Sequence, residues 1–203
     1  MAKDFARSVE FWAVNTDEQD LLAAAVLDKR KIFIGKEITK GLGAGMNPEL
    51  GRQAAEESRA EIAEAVEGSD LVFVTAGMGG GTGTGAAPVV AEIAKQSGAL
   101  TVAVVTKPFS FEGGQRMRLA DEGLTKLREQ VDAYIVIPND KIFEVIPADA
   151  SLTKAFLAVD EVLKNALHGI VDILTSAGIV NVDFADIRVI MQQAGAAIVS
   201  TGI

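Results

Sequence analysis

The feature that most constrains the fold is a series of five short apolar runs, each continuous rather than alternating with polar residues. Continuous apolar strands are typical of parallel sheets that are covered on both faces. The runs lie at 10–14 (EFWAV), 31–34 (KIFI), 70–76 (DLVFVTA), 100–106 (LTVAVVT) and 133–138 (AYIVIP).

Segments with helical spacing alternate with these runs. We predict helices at about 49–66, 86–97 and 114–130, with Pro88 in the first turn of the second, where a missing amide is tolerated. Because strands and helices alternate, the sequence predicts an α/β fold: a doubly wound, mostly parallel sheet with helices on both faces.

A long core helix is predicted to follow the sheet. Apolar residues recur at helical intervals over about 152–174, and Ser151 is available as the N-cap. A rise of ~1.5 Å per residue makes this helix ~34 Å long. We therefore expect three parts: an α/β domain over 1–150, the long helix over 151–175, and an acidic loop with the start of a further domain over 176–203.

Composition excludes several classes of site. The chain has 203 residues, a net charge of −9 and no basic run, which argues against a broad nucleic-acid surface. It has no cysteine and one histidine, so disulfides, thiolate metal sites and multi-histidine metal sites are excluded. No apolar stretch is long enough for a signal peptide or a membrane span, so we expect a cytoplasmic location without direct membrane insertion.

A glycine loop, GMGGGTGTG at 77–85, joins the third strand to the next helix. Glycine leaves backbone amides accessible, and a helix N-terminus adds unpaired N–H groups, so the loop predicts a phosphate site. It matches neither a P-loop nor a dinucleotide fingerprint. The alternative is a tight connection without a ligand. A second cluster, GLGAG at 41–45, follows the second strand, and loops after parallel strands share one edge, so both clusters could face one ligand.

An acidic loop places Asn181, Asp183 and Asp186 within six residues. Carboxylates can orient or deprotonate an attacking water. The alternative is structural: Asp183 as an N-cap and Asp186 in the favourable first turn of a helix. The long helix would carry this loop to the opposite edge, ~30 Å from the glycine loops. A neighbour stacked head to tail, rather than the same molecule, would then receive these carboxylates.

Six motifs in order give the chain a resemblance to the tubulin/FtsZ superfamily, and within it to bacterial FtsZ. They are AVNTD (13–17), GLGAGMNPELGR (41–52), GMGGGTGTGAAP (77–88), VTKPFSFEG (105–113), IPND (137–140) and NVDFAD (181–186). The resemblance implies a protein that binds and hydrolyses GTP, polymerises head to tail and forms the ring at the mid-cell division site. It implies Mg²⁺ with the nucleotide, no metal site of the protein's own, and itself and other division proteins as partners.

Residue roles are carried over motif by motif. The resemblance implies that the glycine loop holds the phosphates, that Ala44 and Gly45 lie near the γ-phosphate, and that the acidic loop completes a neighbour's site. The implied nucleotide-binding residues are Ala44, Gly45, Gly79, Gly80, Gly81, Thr82, Gly83, Thr84, Gly85, Glu112 (ribose), Arg116, Asn139 (guanosine), Phe156 (base stacking) and Glu161 (where the family usually has aspartate for guanine). The implied catalytic residues are Asn181, Asp183 and Asp186.

The chain departs from the family pattern at both ends. Family members begin with a further strand and phosphate loop of the KVIGVGGGGGNAV type, where this chain has MAKDFARS, and they continue beyond VSTGI into a second domain. We therefore expect a shortened member. Two other functions stay open: a non-hydrolysing assembly module that caps or modulates filaments, and an unrelated α/β nucleotide-binding enzyme.

Overall fold

The computed structural model describes residues 9–147, 149–175, 184–192 and 194–196. Its strands are all parallel to their neighbours, as predicted, but they form two sheets rather than one. The strands are β1 (Ala13–Asn15), β2 (Lys31–Phe33), β3 (Leu71–Gly77), β4 (Leu100–Lys107), β5 (Ala133–Pro138) and β6 (Gly195–Ala196). The first sheet pairs β1 with β2, and the second has the order β3-β4-β5-β6.

Eight α-helices are found in the described parts of the chain. They are α1 (Glu18–Ala23), α2 (Lys36–Thr39), α3 (Pro48–Glu57), α4 (Arg59–Val66), α5 (Thr82–Gln96), α6 (Gly114–Gln130), α7 (Leu152–Thr175) and α8 (Phe184–Met191). The predicted helix over 49–66 is divided at Ser58 into α3 and α4. The long helix occurs where the sequence predicts it.

The larger sheet is covered on both faces, which explains its continuous apolar strands. In β4, Ala103 and Val105 point into a core shared with α5 and α6, whereas Val102 and Val104 pack beneath α7. All four side chains are completely buried. The α/β class with helices on both faces is therefore confirmed, and β4 is one of the two interior strands of the larger sheet.

Helix packing joins the two sheets where no strand pairing does. Ile32 and Ile34, in and after β2, share one core cluster with residues of α3, α4 and α5, and Val14 of β1 and Val72 of β3 pack against the same cluster. In the described residues, β1 and β3 are therefore connected by packed side chains and not by the backbone hydrogen bonds of a sheet.

Helix α5 begins four residues before its predicted start at 86. Thr82–Gly85 form its first turn, so Pro88 lies inside the helix and not in the first turn, which corrects the sequence prediction. Close packing requires glycine in this turn, because a Cβ added at Gly85 would overlap the carbonyl oxygen of Pro48 in α3. Tertiary contact thus overrides the poor helix propensity of glycine.

Candidate functional site

The two glycine loops contact each other at the carboxyl ends of the strands. The amide of Gly81 donates a 2.6 Å hydrogen bond to the carbonyl of Gly45. A Cβ added at Gly81 would lie 2.6 Å from the carbonyl oxygen of Ala44, so only glycine allows this approach without a shift. The loops that were predicted to face one ligand therefore form one continuous backbone surface.

The first turn of α5 offers backbone donors at this surface. Its N-cap is Gly81, and no side chain caps the helix. In the described part of the chain, no hydrogen bond is made by the amides of Gly80, Thr82 or Gly83. Unpaired amides together with the positive end of the helix dipole favour an anion.

The side chain of Thr84 holds the glycine loop in place through a hydrogen bond. Its hydroxyl oxygen accepts a 2.7 Å hydrogen bond from the amide of Gly79, whose φ of +105° suits glycine. Thr84 is only 2% exposed, so the bond lies in the protein interior. The hydroxyl that sequence analysis assigned to the ligand is thus directed to the loop itself.

We expect Thr84→Val to reduce the free energy of unfolding by about 1–3 kcal/mol, because the buried amide of Gly79 loses its acceptor. Urea denaturation followed by circular dichroism measures the change. Thr125→Val is the matched control, since Thr125 lies on the exposed side of α6. Equal stability losses in both variants would contradict a supporting role for Thr84.

A cavity of about 410 Å³ opens beside the glycine loop. Its volume lies within the range of about 300–1,000 Å³ that is usual for small-molecule sites. The carboxyl ends of β3 and β4, the start of α6 and the first half of α7 surround it. The lining includes Gly77, Met78, Gly80, Thr106, Pro108, Glu112, Arg116, Asn139, Phe156, Asp160 and Leu163.

Asn139 carries an unsatisfied acceptor in this cavity. The residue is 6% exposed, and its Oδ1 atom is buried without a hydrogen-bond partner among the described residues. A buried polar atom without a partner is costly, and a ligand N–H or O–H would satisfy it. The asparagine expected to contact guanosine therefore lines the cavity, and a small shift of its side chain would let this oxygen accept a hydrogen bond from a ligand.

Glu112 and Arg116 form an ion pair at the cavity rim. Arg116 Nη1 lies 3.1 Å from one oxygen of Glu112, and the other oxygen accepts a 2.8 Å hydrogen bond from the amide of Phe109. The stem of Arg116 also covers Gly79, since a Cβ there would lie 2.8 Å from Arg116 Cγ. Both residues reach the cavity, but the carboxylate expected to contact ribose already has two protein partners.

Phe156 stands on the first turns of α7 with its ring against an aromatic cluster. Its centroid lies 5.0 Å from that of Phe109 in an edge-to-face arrangement, and Phe109 is completely buried. Phe156 itself is 44% exposed. One side of the ring is therefore held by the protein, while part of its surface is open to the cavity.

The acidic residue of α7 that lines the cavity is Asp160. Glu161, expected from its position in the motif, is exposed and does not line it. Adjacent residues point ~100° apart on a helix, so the two carboxylates face different directions.

Thr16 also lies at the glycine-loop surface, although it was not among the residues assigned from the motifs. It follows β1, is completely buried, and its hydroxyl lies 2.6 Å from that of Thr82 at the start of α5. The sequence signal was available, since polar residues directly after a parallel strand collect at the ligand edge.

Arg52 lies on α3 beside the 41–45 loop and is engaged by an acidic neighbour. Its guanidinium lies 2.7 Å from Glu49, and this hydrogen bond, with a second from Gln53, lowers the pKa of Glu49 to about 2. The arginine of the GLGAGMNPELGR motif is thus held along its own helix.

Asp186 lies at the opposite end of the sheet from the glycine loops, near the amino ends of the strands. Helix α7 begins at the cavity with Phe156 and ends over the amino ends of the strands, where Leu167 and Ile170 pack against Leu100 of β4. Asp186 is exposed in the first turn of α8, beyond that end. Asn181 and Asp183 lie outside the described residues.

The chain was compared with known proteins on the basis of both sequence and structure. Residues 3–147 match the model of the "Tubulin/FtsZ family, GTPase domain". The chain belongs to the tubulin/FtsZ family. Across the whole chain it is 55% identical to the cell division protein FtsZ of Buchnera aphidicola subsp. Schizaphis graminum and 54% identical to that of Pseudomonas aeruginosa. It spans about half of each relative, 52% and 51% of their lengths.

Solved structures of the tubulin/FtsZ family agree with this assignment. An FtsZ dimer from M. jannaschii superposes with a TM-score of 0.86 at 53% identity, covering 91% of this chain and 53% of that one. The GDP-bound monomer of CetZ1 from Haloferax volcanii superposes with a TM-score of 0.77 at 28% identity, covering 91% of this chain and 55% of that one. The fold class is therefore shared with FtsZ proteins.

Metal-binding clusters and membrane-spanning helices are both absent from the described parts of the chain. No group of three or more histidine, cysteine, aspartate or glutamate side chains there is arranged to hold a metal ion. None of the helices there has both the length and the apolar content needed to cross a bilayer.

Proposed function

We propose that the chain binds GTP at the edge formed by the two glycine loops. The observation that carries this proposal is the uncapped first turn of α5 beside a cavity lined by Asn139, whose buried Oδ1 has no hydrogen-bond partner among the described residues. The helix start suits the phosphates, while the cavity suits the nucleoside. Membership of the tubulin/FtsZ GTPase family supports guanine as the base.

Different groups of the site would bind different parts of GTP. The amides of Gly80, Thr82 and Gly83 hold phosphate oxygens, and the positive end of α5 offsets their charge. Asn139 accepts a hydrogen bond from the nucleoside, and Phe156 offers the open part of its ring to the base. Mg²⁺ commonly binds through substrate phosphates and water, which suits a site whose described residues contain no carboxylate cluster.

We propose further that hydrolysis requires a second copy of the chain. Asp186 lies at the edge opposite the glycine loops, so it cannot reach the nucleotide of its own subunit. In a head-to-tail pair, Asn181, Asp183 and Asp186 of one subunit would orient and deprotonate the water that attacks the γ-phosphate held by the next. Repetition of this contact builds a filament, and a division ring at mid-cell is the proposed role.

Calorimetric titration with GTP tests the proposal. We expect saturable 1:1 binding, with ATP binding at least about tenfold more weakly because its base presents different donors and acceptors. Turnover per subunit should rise with protein concentration, since each active site needs two subunits. No heat of binding at high micromolar GTP would refute nucleotide binding and favour a non-hydrolysing module that caps filaments. Turnover per subunit that is independent of protein concentration would contradict the shared site.

A further inference from the structure

Helix α8 is attached to the far end of the helix that starts at the glycine loop. The guanidinium of Arg188 donates a hydrogen bond to the carbonyl of Gly98, two residues beyond the last residue of α5. A cation at this position also favours the negative end of the α5 dipole. One helix thus has the proposed phosphate site at its N-terminus and the anchor of α8 at its C-terminus.

The Arg188 contact holds one side of α8 against the protein and so affects which way Asp186 faces. Residues two apart on a helix point ~200° apart, so an arginine turned towards the protein turns Asp186 away from it. Val189 and Ile190, on the same side as Asp186, are 77% and 73% exposed, although Ala185 and Gln192 on the side of Arg188 are exposed as well. Met191, on the side of Arg188, packs against the core beneath α7.

The chain after α8 has a separate anchor. The amide of Gly195 donates a 3.1 Å hydrogen bond to the carbonyl of Asp132, and β6 pairs with β5. The buried carboxylate of Asp132 in turn accepts a 2.9 Å hydrogen bond from the amide of Thr101. This anchor holds the chain after α8, whereas the Arg188 contact and the packing of Met191 together set the rotation of α8 about its axis.

We infer that Arg188 is a positioning residue for hydrolysis in the neighbouring subunit, acting by holding Asp186 outwards from the edge. The inference rests on the proposed shared site. It also makes α5 the structural connection between two successive sites of a filament, because its first turn serves the nucleotide of its own subunit and its last turn supports the carboxylate delivered to the next.

Steady-state kinetics with Arg188→Ala test the inference. We expect kcat to fall at least about tenfold with an unchanged KM for GTP, because a displaced catalytic group slows chemistry without weakening substrate binding. Arg188→Lys should recover part of the loss. The control is Arg118→Ala, which removes an equal charge from an exposed position on α6 that pairs with Glu122. Equal losses in both arginine variants would overturn the inference.

Subunit mixing separates positioning from general damage. Arg188→Ala has an intact glycine loop, and Gly81→Ala has an intact α8, so a mixture of the two forms competent sites at their contacts. We expect turnover of the mixture to exceed the sum of the separate variants several-fold. No gain on mixing would overturn the inference.

A distance measurement decides the same question without turnover. The chain lacks cysteine, so Asp186→Cys and Glu122→Cys accept a pair of spin labels without background. The distance distribution should be narrow with Arg188 present and broader or shifted in the added Arg188→Ala variant. If the unmodified chain hydrolyses no GTP, the proposed function fails, but the distances still report on Arg188. An unchanged distribution overturns its positioning role.

Discussion

Gly81→Ala is expected to weaken GTP binding by about 100-fold or more, equivalent to about 2.7 kcal/mol. The added methyl group would lie 2.6 Å from the carbonyl oxygen of Ala44 and 2.8 Å from its Cβ, so the two glycine loops must separate. The backbone of Gly81 is in the right-handed helical region, with φ of −76°, so alanine itself is compatible with it. The expected loss therefore comes from separation of the loops and not from backbone strain.

Calorimetry of Gly81→Ala and Gly114→Ala provides the comparison. Gly114 begins α6, and a Cβ there meets no atom within 4 Å. We expect the Gly114 variant to bind GTP like the unmodified chain. Circular dichroism checks that both variants keep their helices. Unchanged affinity in Gly81→Ala would show that contact between the loops is not needed for the nucleotide.

Asp186→Asn is expected to reduce turnover by about 10²–10⁴-fold, the usual contribution of a positioned acid or base. Binding of GTP to the isolated subunit should be unchanged, because Asp186 lies at the other edge of the sheet. The substitution preserves shape and removes one charge. A carboxylate that only stabilised the helix N-terminus would instead give a small change in stability and full turnover.

Glu129→Gln is the matched control for Asp186→Asn. It removes one charge from an exposed residue in the last turn of α6. The two variants are compared by phosphate release at several protein concentrations and by calorimetry. Loss of GTP binding in Asp186→Asn, or normal turnover, would contradict a catalytic role for Asp186 in the neighbouring site.

The sequence predicts the central sheet well because burial on both faces leaves a direct signal. The run at 100–106 becomes β4 at Leu100–Lys107, and the run at 133–138 becomes β5 with the predicted bounds. The first strand is less accurate: EFWAV predicts 10–14, whereas β1 is Ala13–Asn15. Its length is set by pairing with the three residues of β2, which no local pattern encodes.

For the candidate site, too, some features could be predicted from the sequence and others could not. Glycine spacing identified the two loops, but not the contact between Gly81 and Gly45, because that contact depends on how α3 crosses α5. Motif position selected Glu161, whereas helix phase places Asp160 in the cavity. The unsatisfied oxygen of Asn139 depends on burial by distant segments, so neighbouring residues could not reveal it.

The division of the strands into two sheets has a consequence for the energetics of the proposed complex. The 41–45 loop follows the sheet of β1 and β2, and the 77–85 loop follows the other sheet, so a nucleotide bound by both would bridge them. Ligand present at 100 times its dissociation constant adds about 2.7 kcal/mol to the stability of the bound state. GTP would then act as a structural brace as well as a substrate, adding to the helix packing that already joins the two sheets.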